Sequence, residues 1–194
     1  MIIISWDIGI KNLAYIIIDY NNNNINILSW NNINIFDNYI NNCKHCIDKE
    51  KNINKIDIFN FKYHIIFFLE SNHNILFNNI NIILIENQPS LKNPRMKMVS
   101  DMIYDWYLIK YNNIKINNIN YPKIEIKLLA PSTKFYIIND LYKKLLKSQN
   151  KKKKYQFNKK LSITLCNIII GDNKYIRYYL SIFNKYDDLC DVFI

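Results

Sequence analysis

An α/β domain built on a mixed five-stranded sheet flanked by helices is the fold class that the 194-residue sequence predicts, and three observations carry the expectation. Two β-branched runs, Ile2-Ile3-Ile4-Ser5-Trp6 and Leu13 to Tyr20, stand on either side of the turn-like Asp7-Ile8-Gly9-Ile10-Lys11-Asn12 and read as a hairpin. Ile82-Ile83-Leu84-Ile85 is a short apolar run with the polar tip Glu86-Asn87-Gln88-Pro89, the pattern of a buried central parallel strand. The order of segments, three strands, a helix, a strand, a helix, a strand and then helices, fits a single mixed sheet.

Each element has its own local reason. Ile25 to Ile35 supplies the third strand, connected to the second through the asparagine cluster that begins at Asn21. Phe61, Ile65, Phe68 and Leu69 recur at helical spacing between Phe59 and Glu70. Met96 to Lys110 reads as a helix and Ile124 to Leu129 as a strand. Pro131-Ser132 is a start signal for a helix from Thr133 to Lys147. An amphipathic segment follows from Lys159 to Ile170, and a final helical stretch runs from about Lys174 onwards. Residues 1–194 are expected to form one domain, with a basic segment at 143–160.

Composition narrows the function. There are about 40 isoleucines and about 33 asparagines against two alanines, far from ordinary usage. The asparagines are scattered between periodic apolar segments, so AT-rich coding explains the skew better than an aggregating tract does. With only Gly9 and Gly171 available, neither a dinucleotide-binding fingerprint nor a P-loop can be built. No nucleotide cofactor is therefore expected. Met1 to Trp6 lacks the basic flank and cleavage site of a signal peptide. No stretch approaches the ~20 apolar residues of a membrane span. The expectation is a soluble intracellular protein, with no membrane partner and with reduced cysteines.

The net charge of +10 comes from 26 Lys and Arg against 16 Asp and Glu, and it is concentrated. Nine lysines (Lys143, Lys144, Lys147, Lys151, Lys152, Lys153, Lys154, Lys159 and Lys160) fall in a stretch without acids between Asp140 and Asp172, interleaved with Tyr142, Tyr155 and Phe157. Such a run suits a phosphate backbone, whose neutralisation releases counterions. Lysine lacks the bidentate fork of arginine, so the run should position DNA without reading its sequence. A solvated lysine loop is the alternative.

Acids end the apolar runs: Asp7 after the first strand, Glu86 after the fourth, and Asp187, Asp188 and Asp191 on the last helix. An acid ending a buried strand is costly unless something compensates it. Were the first and fourth strands neighbours, Asp7 and Glu86 would emerge side by side. Asp188 and Asp191, three apart, share a helix face, as do Asp187 and Asp191 at four apart. Convergence would place about four negative charges together, a group that either raises its pKa values or binds cations. Hard oxygen ligands select Mg²⁺ or Mn²⁺ over zinc. Two such ions can activate water and stabilise the leaving oxygen of a phosphodiester.

Four motifs in order carry a resemblance: Ser5-Trp6-Asp7-Ile8-Gly9-Ile10-Lys11-Asn12-Leu13-Ala14, Ile85-Glu86-Asn87-Gln88, Pro131-Ser132-Thr133-Lys134, and Lys185-Tyr186-Asp187-Asp188-Leu189-Cys190-Asp191. Across nearly the whole chain the sequence resembles the RuvC-type Holliday junction resolvases, most of all their poxvirus branch, and the AT-rich bias suggests an insect-infecting poxvirus. The resemblance implies an RNase H-like fold, a homodimer, and Mg²⁺-dependent paired symmetric nicking of four-way DNA junctions, with Mn²⁺ as a substitute ion. In a poxvirus it also implies processing of concatemeric genomes in the host cytoplasm. Matched residue by residue, it makes Asp7, Glu86, Asp188 and Asp191 the catalytic metal ligands of two ions, with Asp187 as the alternative to Asp188. It also places Lys134 near the scissile phosphate, where it would stabilise transition-state charge. Related proteins continue the final helix for further turns, whereas this sequence stops at Ile194.

Lys92, Arg95 and Lys97 follow the Glu86 strand and Lys11 follows Asp7, so each is either a DNA contact beside the metals or a loop residue. Cys43-Lys44-His45-Cys46 has the spacing of a zinc half-site but no second close pair follows. His64 and His73 read as packing or surface residues, and Tyr104, Trp106 and Tyr107 as core or dimer contacts.

Overall fold

The computed structural model describes residues 1–22, 24–34, 56–91, 93–118, 120–131, 151–171, 177 and 186–193, without the side chains of 151–155, 186, 187, 192 and 193. Lys92, Lys134, Cys43, Cys46 and the helix expected over Thr133 to Lys147 lie outside the described residues. The strands are β1 (Ile2–Asp7), β2 (Leu13–Asn21), β3 (Asn24–Ile33), β4 (Ile82–Glu86) and β5 (Glu125–Leu129). The helices are α1 (Ile58–Ser71), α2 (His73–Phe77), α3 (Pro94–Asn117), α4 (Lys151–Ile170) and α5 (Tyr186–Phe193).

One sheet of order β3-β2-β1-β4-β5 contains all five strands. β1 pairs antiparallel with β2 and β2 with β3, while β4 and β5 run parallel to β1. The sheet is therefore mixed, as expected, with β1 at its centre. The β2–β3 turn is tight because Asn22 takes a left-handed backbone conformation at φ 47, which asparagine tolerates better than most residues. Asn81 ties β4 to β1: its side-chain oxygen accepts from the Ile2 amide at 2.7 Å, and its own amide donates to the Ile2 carbonyl at 2.8 Å.

Alternation along the strands divides the side chains between two faces. Ile4, Trp6, Leu13, Tyr15, Ile17, Ile83 and Ile85 form one core with α1, α2 and α3. Its polar centre is Tyr107, whose hydroxyl accepts from Trp6 Nε1 at 3.2 Å and donates to the Leu76 carbonyl at 3.0 Å. Burial pushes the Tyr107 phenol far above its ordinary pKa, so it stays a neutral linker. On the opposite face, Ala14, Ile16 and Trp30 pack against Cys166 and Ile170 of α4 and against Leu189 and Cys190 of α5. Cys166 and Cys190 are both buried as thiols. Among the described residues no helix is long and apolar enough to cross a membrane.

Several boundaries differ from expectation for local reasons. α1 begins at Ile58 because Asp57 caps it, its Oδ1 accepting from the Asn60 amide at 3.0 Å. α3 starts on Pro94 and runs past Lys110 to Asn117. α4 starts at Lys151, eight residues before the amphipathic pattern becomes visible.

His64 lies on the buried face of α1, and burial lowers its pKa from 6.5 although the Asp57 charge opposes the shift. The unfolded chain therefore binds this proton at a higher pH than the folded one does. The His64 contribution is present above pH 6.5 and is lost as pH falls through the folded-state pKa below it. Urea midpoints compared at pH 7.5 and about 5.5 should show lower stability in acid. The difference should shrink in His64→Asn, and an undiminished difference in that variant would remove His64 as its source.

Candidate metal centre and nucleic-acid cleft

The site is assembled at the carboxyl end of the two central parallel strands. Trp6 and Ile85 are register partners on β1 and β4, and both point into the first core. Asp7 and Glu86 are the next residues on each strand, so alternation turns both side chains to the opposite face, towards α4 and α5. α5 is docked there by Leu189 and Cys190, both fully buried, and by a buried hydrogen bond from Trp30 Nε1 to the Leu189 carbonyl at 3.1 Å. Ala14, the cross-strand partner of Asp7, is itself fully buried in this contact. A larger side chain at that position would hold α5 away from the strand end.

The result is a cleft of about 490 Å³ lined by Asp7, Glu86, Asp188 and Asp191 and by the 8–12 loop, Gln88, Pro89, Met96, Pro131, Asn158 and Lys159. One carboxylate oxygen from each of Asp7, Asp188 and Asp191 lies within 4.8 Å of the others, and all three side chains are half-buried. A magnesium-sized ion with oxygens at about 2.1 Å spaces its ligands roughly 3 to 4.2 Å apart, so these residues fit a hard divalent cation with little adjustment. Every donor is a carboxylate, a set suited to magnesium or manganese and poorly matched to soft metals.

Glu86 lines the same cleft but is not among the three residues whose carboxylate oxygens meet. Its Oε2 accepts from the Ile8 amide at 3.3 Å and its carbonyl accepts from Ser100 Oγ at 3.0 Å. Lys159 Nζ lies 3.2 Å from Asp188 Oδ1, with both side chains largely shielded. Asp188 lines the cleft, and the side chain of Asp187, its alternative, lies outside the described residues.

The basic residues divide by surroundings. Lys11 is exposed on the loop that lines the cleft. Lys97 donates to Asn87 Oδ1 at 3.3 Å and pairs with Asp101 one turn along α3. Arg95 faces inward, donating to the Ile56 carbonyl at 2.7 Å and stacking on Phe61. Lys151, Lys152, Lys153 and Lys154 occupy the first turn of α4, where the aligned amides already carry positive potential.

Lys159 is the residue that sequence reading placed elsewhere, as one lysine of a DNA-facing run. A signal for it exists: Lys159, Ser162, Cys166 and Ile170 recur at helical spacing, and the last three are buried. That periodicity puts Lys159 on the inward stripe of α4 and Lys160 outside it.

No protein-family model matches the chain. An uncharacterised protein of Acanthamoeba polyphaga mimivirus is 35% identical over 113 residues, 58% of this chain, and the chain spans about a quarter (27%) of that relative's length. Among solved structures, the yeast mitochondrial Holliday junction resolvase Ydc2 superposes with a TM-score of 0.63, at 19% identity over 98% of this chain and 75% of its own. The fowlpox virus Holliday junction resolvase superposes with a TM-score of 0.50, at 17% identity over 100% of this chain and 92% of its own. The likeness at these identities is one of fold, and the fold is RNase H-like.

Gly9 holds the loop between Asp7 and β2 closed. A Cβ there would lie 2.3 Å from the Asn12 carbonyl oxygen, which is backbone and has no rotamer through which to yield. Gly9→Ala should destabilise the protein by about 1–3 kcal/mol in urea unfolding. A midpoint equal to wild type would show that the loop relaxes freely and does not fix the Ile8 amide against Glu86.

Proposed function

We propose that this protein is a divalent-metal-dependent endodeoxyribonuclease of the RuvC type that resolves four-way DNA junctions by paired symmetric nicks. The observation that carries the reading is the meeting of Asp7, Asp188 and Asp191 in one cleft, on a fold shared with two Holliday junction resolvases. Paired nicks on opposite strands require two such sites, hence a homodimer. The concentrated positive charge and the fowlpox and mimivirus likenesses support a viral setting in which concatemeric genomes are cut to unit length in the host cytoplasm.

Asp7, Asp188 and Asp191 would hold magnesium, or manganese in its place, with Glu86, which lines the same cleft, as the fourth carboxylate. Two such ions would supply activation of water and stabilisation of the leaving oxygen. In the overall reaction water adds to the phosphorus and the bond to one bridging oxygen breaks, leaving one phosphate terminus and one hydroxyl terminus. The chain's own residues orient the strand. Lys11 on the cleft loop and Lys97 beside Asn87 lie where a phosphate backbone would enter. Lys134 follows Pro131 of the cleft lining closely in sequence and is assigned to the scissile phosphate. Lys92 belongs to the connection between β4 and α3, and Arg95 to the first turn of α3, which it anchors on Ile56 and Phe61. The first turn of α4, with Lys151 to Lys154, is the contact for a junction arm.

Asp7→Asn should bind a four-way junction as wild type does while losing more than about 100-fold of the magnesium-dependent cleavage rate. Linear duplex and RNA–DNA hybrid run in parallel define the substrate class. Undiminished junction cutting by Asp7→Asn would end the metal assignment, preference for the hybrid would end the junction assignment, and single unpaired nicks would end the dimer. Replacing Lys151, Lys152, Lys153 and Lys154 by Gln should weaken binding to every arm and flatten its salt dependence by roughly 0.9 in log–log slope for each phosphate no longer neutralised. An unchanged slope would assign these lysines to solvent.

A further inference from the structure

Lys159 is a charged side chain with an unusual neighbour. Its ammonium is 3.2 Å from Asp188 Oδ1, and the exposures of the two side chains are only 26% and 14%. The same Asp188 contributes an oxygen to the three-carboxylate group. α4 cannot readily carry Lys159 away from this position, because Ser162 and Cys166 on the same stripe are fully buried and Cys166 packs with Leu189 and Cys190 of α5. The lysine and the aspartate are thus held together by the packing of the helices that bear them.

A shielded ammonium this close to a candidate ligand oxygen has two opposed consequences. It offsets the mutual repulsion of Asp7, Asp188 and Asp191 and keeps the Asp188 carboxylate turned into the cleft. It also repels any second cation brought to the same oxygens, since unit charges a few ångströms apart interact strongly where water is partly excluded. We infer that Lys159 is a positioning residue for the metal centre, a built-in counter-cation that competes with the divalent ion for Asp188 and so sets how tightly the ion is held. This rests on the reading of the three carboxylates as metal ligands. It separates Lys159 from the DNA-facing lysines with which it is continuous in sequence.

The test is a titration of the full chain with MnCl₂ at low ionic strength and without DNA, free Mn²⁺ being read by electron paramagnetic resonance. Lys159→Met and Lys159→Gln should each bind Mn²⁺ about tenfold more tightly than wild type, whereas Lys159→Arg should match wild type. Lys160→Met, a neighbouring charge on an exposed side chain, should leave the affinity unchanged. Lys159→Gln retains a hydrogen-bond donor for Asp188 and serves if Lys159→Met does not fold. A purely structural lysine predicts equal or weaker binding in both neutral variants, and that result overturns the inference while leaving the metal reading intact. Equal tightening in Lys160→Met also overturns it, by showing a diffuse effect of net charge. Absence of Mn²⁺ binding in wild type and variants alike removes the metal reading and this inference together.

Discussion

The meeting of the carboxylates depends on the docking of one short helix against one face of the sheet. Asp7 is fixed by the backbone ladder of β1, which is paired on both sides. Asp188 and Asp191 ride on α5, which has eight residues and is held by Leu189, Cys190 and the Trp30–Leu189 hydrogen bond. That docking must overcome the repulsion of the carboxylates it brings together. It does so with buried apolar area, a buried hydrogen bond from Trp30 to the Leu189 carbonyl and the lysine of the neighbouring helix.

The two faces of the sheet have different tasks as a result. The α1–α3 side holds the larger core, including Trp6, Phe61, Ile103 and Tyr107, and contributes stability without lining the cleft deeply. The α4–α5 side is smaller and carries the charged groups. Because Asp7 and Glu86 directly follow the core residues Trp6 and Ile85, the rigid face sets the position of the carboxylates on the other. Strand alternation then transmits that rigidity across the plane of the sheet.

The β-branched runs made the strands legible, and the apolar run before Glu86 marked a central parallel strand that the sheet does contain. Asp188 and Asp191 were legible as a pair because three residues of helix return a side chain to the same face. Other features were hidden for identifiable reasons. α2 is one turn long, too short for periodicity to register. The far end of α3 is Asn-, Lys- and Ile-rich with a weak apolar stripe, so its extent depends on packing. The attachment of Glu86 to the Ile8 amide depends on the loop that Gly9 closes, a backbone geometry that composition does not encode. Lys159 was obscured by its company, since a run of lysines reads as surface until the buried stripe of α4 is traced back through Ser162.

The small size of α5 has a consequence for when the three carboxylates can stand together. A helix of two turns does not persist by itself in water, so Asp188 and Asp191 stand beside Asp7 only while the second core is intact. The acids that would cut a phosphodiester are contributed by opposite ends of the described polypeptide, and loss of tertiary structure between them disperses the set at once. Any chemistry of this cleft is thereby confined to the fully folded state, since a partly folded copy has no assembled set of acids.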